Sequence, residues 1–174
     1  MQLTKVDIAG LIVVGLLLIA QDARSDDIIL HGGSKHIGAD GYDVKVLYRG
    51  RDNQLHDIGT RKHVKFNESN LGVGYSHDIN KHIAVRGGVY DNSYNRTSVY
   101  VGAAASVAIS RSFDIGVQVG AVTGYAGTPQ GSGAVSPFVL PYVRGGYGRL
   151  FGEIGYLPPV DGISVITWSV GVTF

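Results

Sequence analysis

Three observations predict that this chain of 174 residues is all-β, an eight-stranded antiparallel up-and-down transmembrane β-barrel. Bulky apolar side chains alternate with small or weakly polar ones in segment after segment, which is the period of a strand and not of a helix. Glycine is abundant at 26 residues, and the charged fraction is only 17%, where ordinary soluble domains carry ~25%. The alternating stretches run for about ten residues between turn-forming clusters, the length a tilted strand needs to cross a bilayer.

Composition narrows the function classes before any motif is read. Fifteen basic residues against 14 acidic ones give a formal charge of +1, and without a Lys/Arg run nucleic acid is not expected as a partner. The absence of cysteine excludes a disulfide framework, thiol catalysis, Cys-ligated zinc and a lipoprotein anchor. One domain is expected, with no repeat and no interdomain linker.

Residues 1–25 read as a secretory signal. Lys5 gives a basic start, Ile8 to Ala20 is an apolar run of 13, and Ala23-Arg24-Ser25 places small residues where a signal peptidase cuts, before Asp26. A membrane-spanning helix is the competing reading, but about 20 residues are needed to cross a bilayer. The mature chain, 26–174, is then the barrel in an outer membrane.

The strands are expected at 27–36, 64–76, 81–91, 96–108, 112–124, 135–147, 150–157 and 163–174. The clearest is the last, where Ile166, Trp168, Val170, Val172 and Phe174 share one face and Val165, Thr167, Ser169, Gly171 and Thr173 the other. Thr97 to Ile109 and Phe113 to Val122 repeat the pattern. What lies opposite the apolar face is Gly, Ala, Ser and Gln, with few of the Lys and Glu that water would favour, so that side reads as a lumen. Short connections at 77–80, 109–111 and 148–149 are assigned to the periplasmic side. Those at 37–63, 92–95, 125–134 and 158–162 are assigned to the outer side. Within the long outer loop 37–63, Asp43 to Arg49 alternates weakly, compatible with a hairpin extending above the membrane.

Chemistry has few places to sit. The six histidines, His31, His36, His56, His63, His77 and His82, show no metal-binding spacing, and neither a nucleophile elbow nor a phosphate-binding loop occurs. No metal and no cofactor are expected. The outer rim is the informative region: His36 ends the first strand, Asn67-Glu68 opens the second and Asp91-Asn92-Ser93-Tyr94-Asn95 caps the third. A serine hydroxyl becomes a useful nucleophile when an imidazole takes its proton. Asn, Ser, Asp and Gly are equally the residues of tight turns, and that reading stays open.

Several ordered segments resemble the PagP-type lipid A palmitoyltransferases. Phe66-Asn67-Glu68 with Leu71-Gly72-Val73-Gly74 is similar to that family's YNE and glycine-rich strand, and Tyr90-Asp91-Asn92-Ser93-Tyr94-Asn95 to its FKDSWN. Pro137-Phe138-Val139-Leu140-Pro141 followed by Gly146-Tyr147-Gly148, and then Tyr156-Leu157-Pro158, resemble its proline strand and YIP. The resemblance implies transfer of a palmitoyl chain from phospholipid to lipid A at the outer leaflet. By position it places Ser93 on the family's serine, Asn92 on its aspartate and His36, with His63 as second choice, on its histidine. Pro141 and Pro158 fall near wall openings that admit lipid. Gly102 and Ala104 line the lumen, Ala104 at a position that sets chain length. Two departures stand out: Asn92 supplies no negative charge for an imidazolium, and the amphipathic helix that precedes the family's barrel has no counterpart.

Two functions are therefore expected as alternatives: an acyltransferase acting on outer-membrane lipids, or a non-catalytic barrel of the same build that binds or shields through loop 37–63. A monomer is expected, and the terminal Phe174 resembles the signal by which the barrel-assembly machinery recognises bacterial outer-membrane barrels, which implies that machinery as a partner.

Overall fold

The computed structural model describes residues 25–128 and 133–174. The expected signal sequence, apart from Ser25, lies outside the described residues. Ten strands form: β1 Asp26–Ile37, β2 Gly41–Arg49, β3 Leu55–Lys65, β4 Gly72–Asn80, β5 Ile83–Asp91, β6 Thr97–Ala108, β7 Phe113–Thr123, β8 Val135–Tyr147, β9 Leu150–Val160 and β10 Ile163–Thr173. Eight of them, β1 and β4 to β10, close into one antiparallel barrel with β1 between β10 and β4, while β2 and β3 pair only with each other. The seam closes tightly at the chain ends, where the N–H of Phe174 donates to the Asp26 carbonyl at 2.9 Å and that of Asp26 to the Phe174 carbonyl at 3.2 Å.

The alternation explains which side each strand presents. Along β6, Ser98, Tyr100 and Ala104 are buried while Val99, Val101 and Val107 are exposed, and on β7 Ile115, Val117 and Val119 are exposed in the same way. These strands are rich in β-branched residues, which fit a pleated surface. An uninterrupted belt of exposed Val and Ile this large would be costly in water and is satisfied by lipid. Chain reversals use residues that tolerate left-handed backbone: Asn53, Asn95 and Asp161 have φ of 63°, 56° and 50°, and Gly148 and Gly162 have 62° and 79°.

The region between β1 and β4 departs from the expected boundaries. The strand expected at 64–76 is two structures, since Val64 and Lys65 finish the β2–β3 hairpin, 66–71 is not a strand, and β4 starts at Gly72. The polar run Asn67 to Asn70 breaks the ladder by bonding within itself and to the end of β5. Asn67 Oδ1 accepts from the Ser69 N–H at 3.1 Å, and Asn70 Nδ2 donates to the Asp91 carbonyl at 3.0 Å. The reversal expected at 77–80 falls after Asn80, because β4 continues through His77 and Asp78, which still pair with Val85 and Ala84. Similarly, β9 runs through Pro158 and Pro159 to Val160, where a loop was expected. The hairpin in loop 37–63 is present and longer than its weak alternation suggested.

Candidate functional site

Two irregularities in the wall shape the interior. The β1–β4 ladder runs from Asp26↔His77 to His31↔Gly72 and stops there, at a bulge between His31 and Gly33. A Cβ on Gly33 would sit 2.5 Å from the Glu68 carbonyl and 2.6 Å from the Trp168 ring, so only glycine allows the 66–71 segment to lie this close. That segment fills the gap: the Ser34 N–H donates to the Glu68 carbonyl at 2.9 Å, and the Ser34 hydroxyl bonds Asn70 Oδ1.

The second irregularity stays open. β8 and β9 pair only from Tyr147↔Leu150 to Tyr142↔Gly155. Above that point Val135 to Pro141 pair with β7 alone, and β9 pairs with β10 through a register shift that skips Pro158 and Pro159. Proline offers no N–H to a ladder, so Pro137, Pro141, Pro158 and Pro159 on the facing lips favour an unzipped wall. Pro141 marks the end of the zipped part; Pro158 lies on the opposite lip.

Behind this opening lies a cavity of about 380 Å³, within the range of small-molecule sites. Ile29, Val122, Phe138, Leu140, Leu157 and Val165 form its apolar wall. Its inner end is polar: Arg86 Nη1 donates to Glu153 Oε1 at 3.0 Å, with Gln118 beside them, and both members of the pair are buried. His36 and Ser93 line its outer end. Gly102 and Ala104 do not line it. A Cβ on Gly102 would strike the Val119 carbonyl, and Ala104 packs with Ala84 and Tyr142 in a small core elsewhere in the lumen. Arg86, Glu153 and Gln118 are the polar groups at the cavity's inner end.

The three rim segments singled out from sequence do meet. The Asn67 N–H donates to the Ser93 carbonyl at 2.8 Å, and the 66–71 segment also binds β1 through Ser34. The side chains are used differently, however. Asn92 is fully buried, with 0% exposure. Its Oδ1 accepts from the N–H groups of Tyr94 and Arg96 at 2.9 and 3.0 Å, and its Nδ2 donates to Ser98 Oγ at 2.9 Å and the Gly124 carbonyl at 3.1 Å. Asn92 thus fixes the turn that carries Ser93 and makes no hydrogen bond to an imidazole. His36 lies flat on Phe66, with ring centroids 3.9 Å apart and planes at 14°. Among the described residues no hydrogen bond joins it to Ser93, and its Nδ1 is buried without a partner. His63 stands apart on the hairpin, between Asp40 and Asp43.

An aromatic cap covers the outer mouth. Phe66 meets Tyr94 edge-on at 5.6 Å, Tyr42 lies 4.7 Å from Tyr94, and Tyr125 is 5.9 Å from Tyr94 on its other side. Tyr125 then hydrogen-bonds Tyr90 at 3.0 Å, and His31 Nε2 bonds the Tyr100 hydroxyl at 3.1 Å. Among the described residues no group of His, Asp and Glu is arranged to hold a metal ion. Sequence reading did not identify Arg86 and Glu153, although charged residues on the lumen side of membrane strands are a signal in themselves.

No protein-family model matches the chain, and no curated protein matches it. Solved structures do. A de novo designed transmembrane β-barrel aligns with a TM-score of 0.56 at 10% identity, over 88% of this chain and 98% of its own. The N-terminal β-barrel domain of Pseudomonas aeruginosa OprF aligns with a TM-score of 0.50 at 11% identity, over 88% of this chain and 100% of its own. At such identities the likeness is one of fold: this chain has the architecture of an eight-stranded transmembrane β-barrel.

Proposed function

We propose that the chain is an outer-membrane barrel that takes a lipid hydrocarbon chain sideways into its lumen and transfers it, the acyl transfer that its resemblance to the PagP-type enzymes implies. The observation that carries this reading is the unpaired stretch of β8 and β9 above Tyr142↔Gly155, backed by an apolar cavity whose outer end holds Ser93 and His36. A chain lying in that cavity brings its ester to the rim. There the bond between the acyl carbon and the donor's glycerol oxygen breaks, a new ester forms on a hydroxyl of lipid A, and the acceptor's proton ends on the lysophospholipid. His36 is the group suited to carry that proton near neutral pH, and Ser93 is the hydroxyl that lines the same end of the cavity. Asn92 acts through Ser93, as a positioning residue.

A second reading has its own support. His36 is stacked on Phe66 without a bond to Ser93, which suits a barrel that holds lipid without chemistry. Export by residues 1–25 and recognition of the terminal Phe174, next after β10, by the barrel-assembly machinery belong to both readings.

The test is to express the protein in a bacterial envelope that lacks lipid A acyl modification, verify that the barrel is folded, and weigh the lipid A. Added acyl mass that disappears in Ser93→Ala and His36→Ala supports the transferase. A folded barrel that retains lipid but adds no mass leaves the binding reading, and one that does neither defeats both.

A further inference from the structure

The β2–β3 hairpin carries a charge pattern that nothing in the barrel uses. Between Gly41 and Lys65 stand six cations, Lys45, Arg49, Arg51, Arg61, Lys62 and Lys65, against three carboxylates, Asp43, Asp52 and Asp57. All three carboxylates are taken: Asp43 by His63, Asp52 by His56 and Asp57 by Lys45. Among the described residues Arg49 bonds the Asn53 side-chain carbonyl and pairs with no carboxylate. Among the described residues no ion pair reaches Arg51, Arg61, Lys62 or Lys65. Moreover, Lys45 stands directly opposite Arg61 in the ladder, and like charges across a strand pair weaken a hairpin. A two-stranded ribbon is marginal to begin with, and with Asp57 the one carboxylate held against both Lys45 and Arg61, the remaining excess of cations suits a ribbon completed by an anion.

The far end of the hairpin adds a second property. Leu47, Tyr48 and Leu55 are 48%, 60% and 58% exposed, side by side with Arg49 and Arg51. Apolar and aromatic side chains next to Arg and Lys match the layered chemistry of a membrane surface, where the ring and the aliphatic stems enter the acyl boundary and the cations meet lipid phosphates. A soluble polyanion would use the cations and leave the apolar tip wet. Both features together favour a phosphate-bearing lipid surface.

We infer that the β2–β3 hairpin docks on the outer leaflet beside the barrel, its tip seated at the lipid interface and its free cations on the phosphates of lipid A. The inference rests on the outer-membrane placement proposed above, and not on acyl transfer. It also gives the long insertion between β1 and β4 a task that the lumen does not require.

The experiment uses the whole barrel in nanodiscs, with Tyr48→Trp as a reporter in a Trp168→Phe background. Two disc compositions are compared: phosphatidylcholine alone, and phosphatidylcholine with lipid A, each with and without bromine-labelled acyl chains. Docking predicts a blue-shifted, bromine-quenched reporter in lipid A discs. Replacing Arg51, Arg61 and Lys62 with Gln is then expected to raise the lipid A fraction for half-maximal effect at least about tenfold, and high salt to do the same by screening. A reporter indifferent to lipid A in an inserted barrel overturns the inference. So does a shift produced by soluble dextran sulfate but not by lipid A. A barrel that fails to insert, seen as loss of heat-modifiable migration, overturns the placement instead.

Discussion

Arg86 and Glu153 lie 67 positions apart in the chain, yet they meet as a 3.0 Å ion pair inside the barrel, at the inner end of the cavity. Tyr142 adds its hydroxyl to the guanidinium at 3.4 Å and its ring beneath it at 4.7 Å. Removing one charge strands the other, so Glu153→Leu is expected to cost about 3–5 kcal/mol, while Arg86→Leu with Glu153→Leu recovers most of that loss. Urea titration of the barrel refolded in lipid measures both. Additive losses in the double variant would show that the pair is not coupled.

Asn92 offers a test that separates turn building from catalysis. The resemblance makes Asn92→Asp a restoration of the family's aspartate, whereas the hydrogen bonds make it a defect: a carboxylate would face the Gly124 carbonyl 3.1 Å away, with no donor between them. The expected outcome is a barrel less stable by about 1–3 kcal/mol, with no gain in lipid A acylation. A rise in acyl transfer with unchanged stability would contradict the placement of Asn92.

His63 should make the hairpin pH-sensitive. Its Nδ1 lies 3.1 Å from Asp43 and its Nε2 3.0 Å from Asp40, and those two carboxylates raise its pKa above the ordinary 6.5. A raised folded pKa favours the protonated form, so the contribution to hairpin order is complete below pH 6.5 and is lost as pH climbs through the raised value. An NMR titration of the His63 ring should give a midpoint above 6.5 that falls in Asp43→Asn. A midpoint at or below 6.5 in the unaltered protein contradicts this.

The sequence read most clearly where one physical constraint acted alone. In β6, β7 and β10 the lipid on one side and the lumen on the other impose strict alternation, and those strands lie within a residue or two of where the pattern put them. Legibility failed at Phe66 to Leu71, where tertiary contacts decide. Ser34, Glu68, Asn70 and Asp91 come from three segments, and their mutual hydrogen bonds, not periodicity, end the hairpin and start β4. The convergence of His36, Asn67 and Ser93 was visible once strand order was assumed. The orientation of the Asn92 side chain was not, since Asn in a tight turn serves backbone N–H groups as readily as a neighbouring side chain. Pro158 and Pro159 suggested a loop, but in the structure they lie on an edge where a missing N–H costs nothing and leaves the wall unzipped.

The central claim is that a lipid chain occupies the lumen by way of the opening between β8 and β9. Photolabelling tests it most directly: a phospholipid with a diazirine near the end of its acyl chain is mixed with the barrel in nanodiscs, irradiated, and the labelled residues are found by peptide mass spectrometry. The account predicts label on Phe138, Leu157 and Val165, which line the cavity. Label confined to the lipid-facing Val101, Val119 and Ile154 would show that the chain never leaves the bilayer.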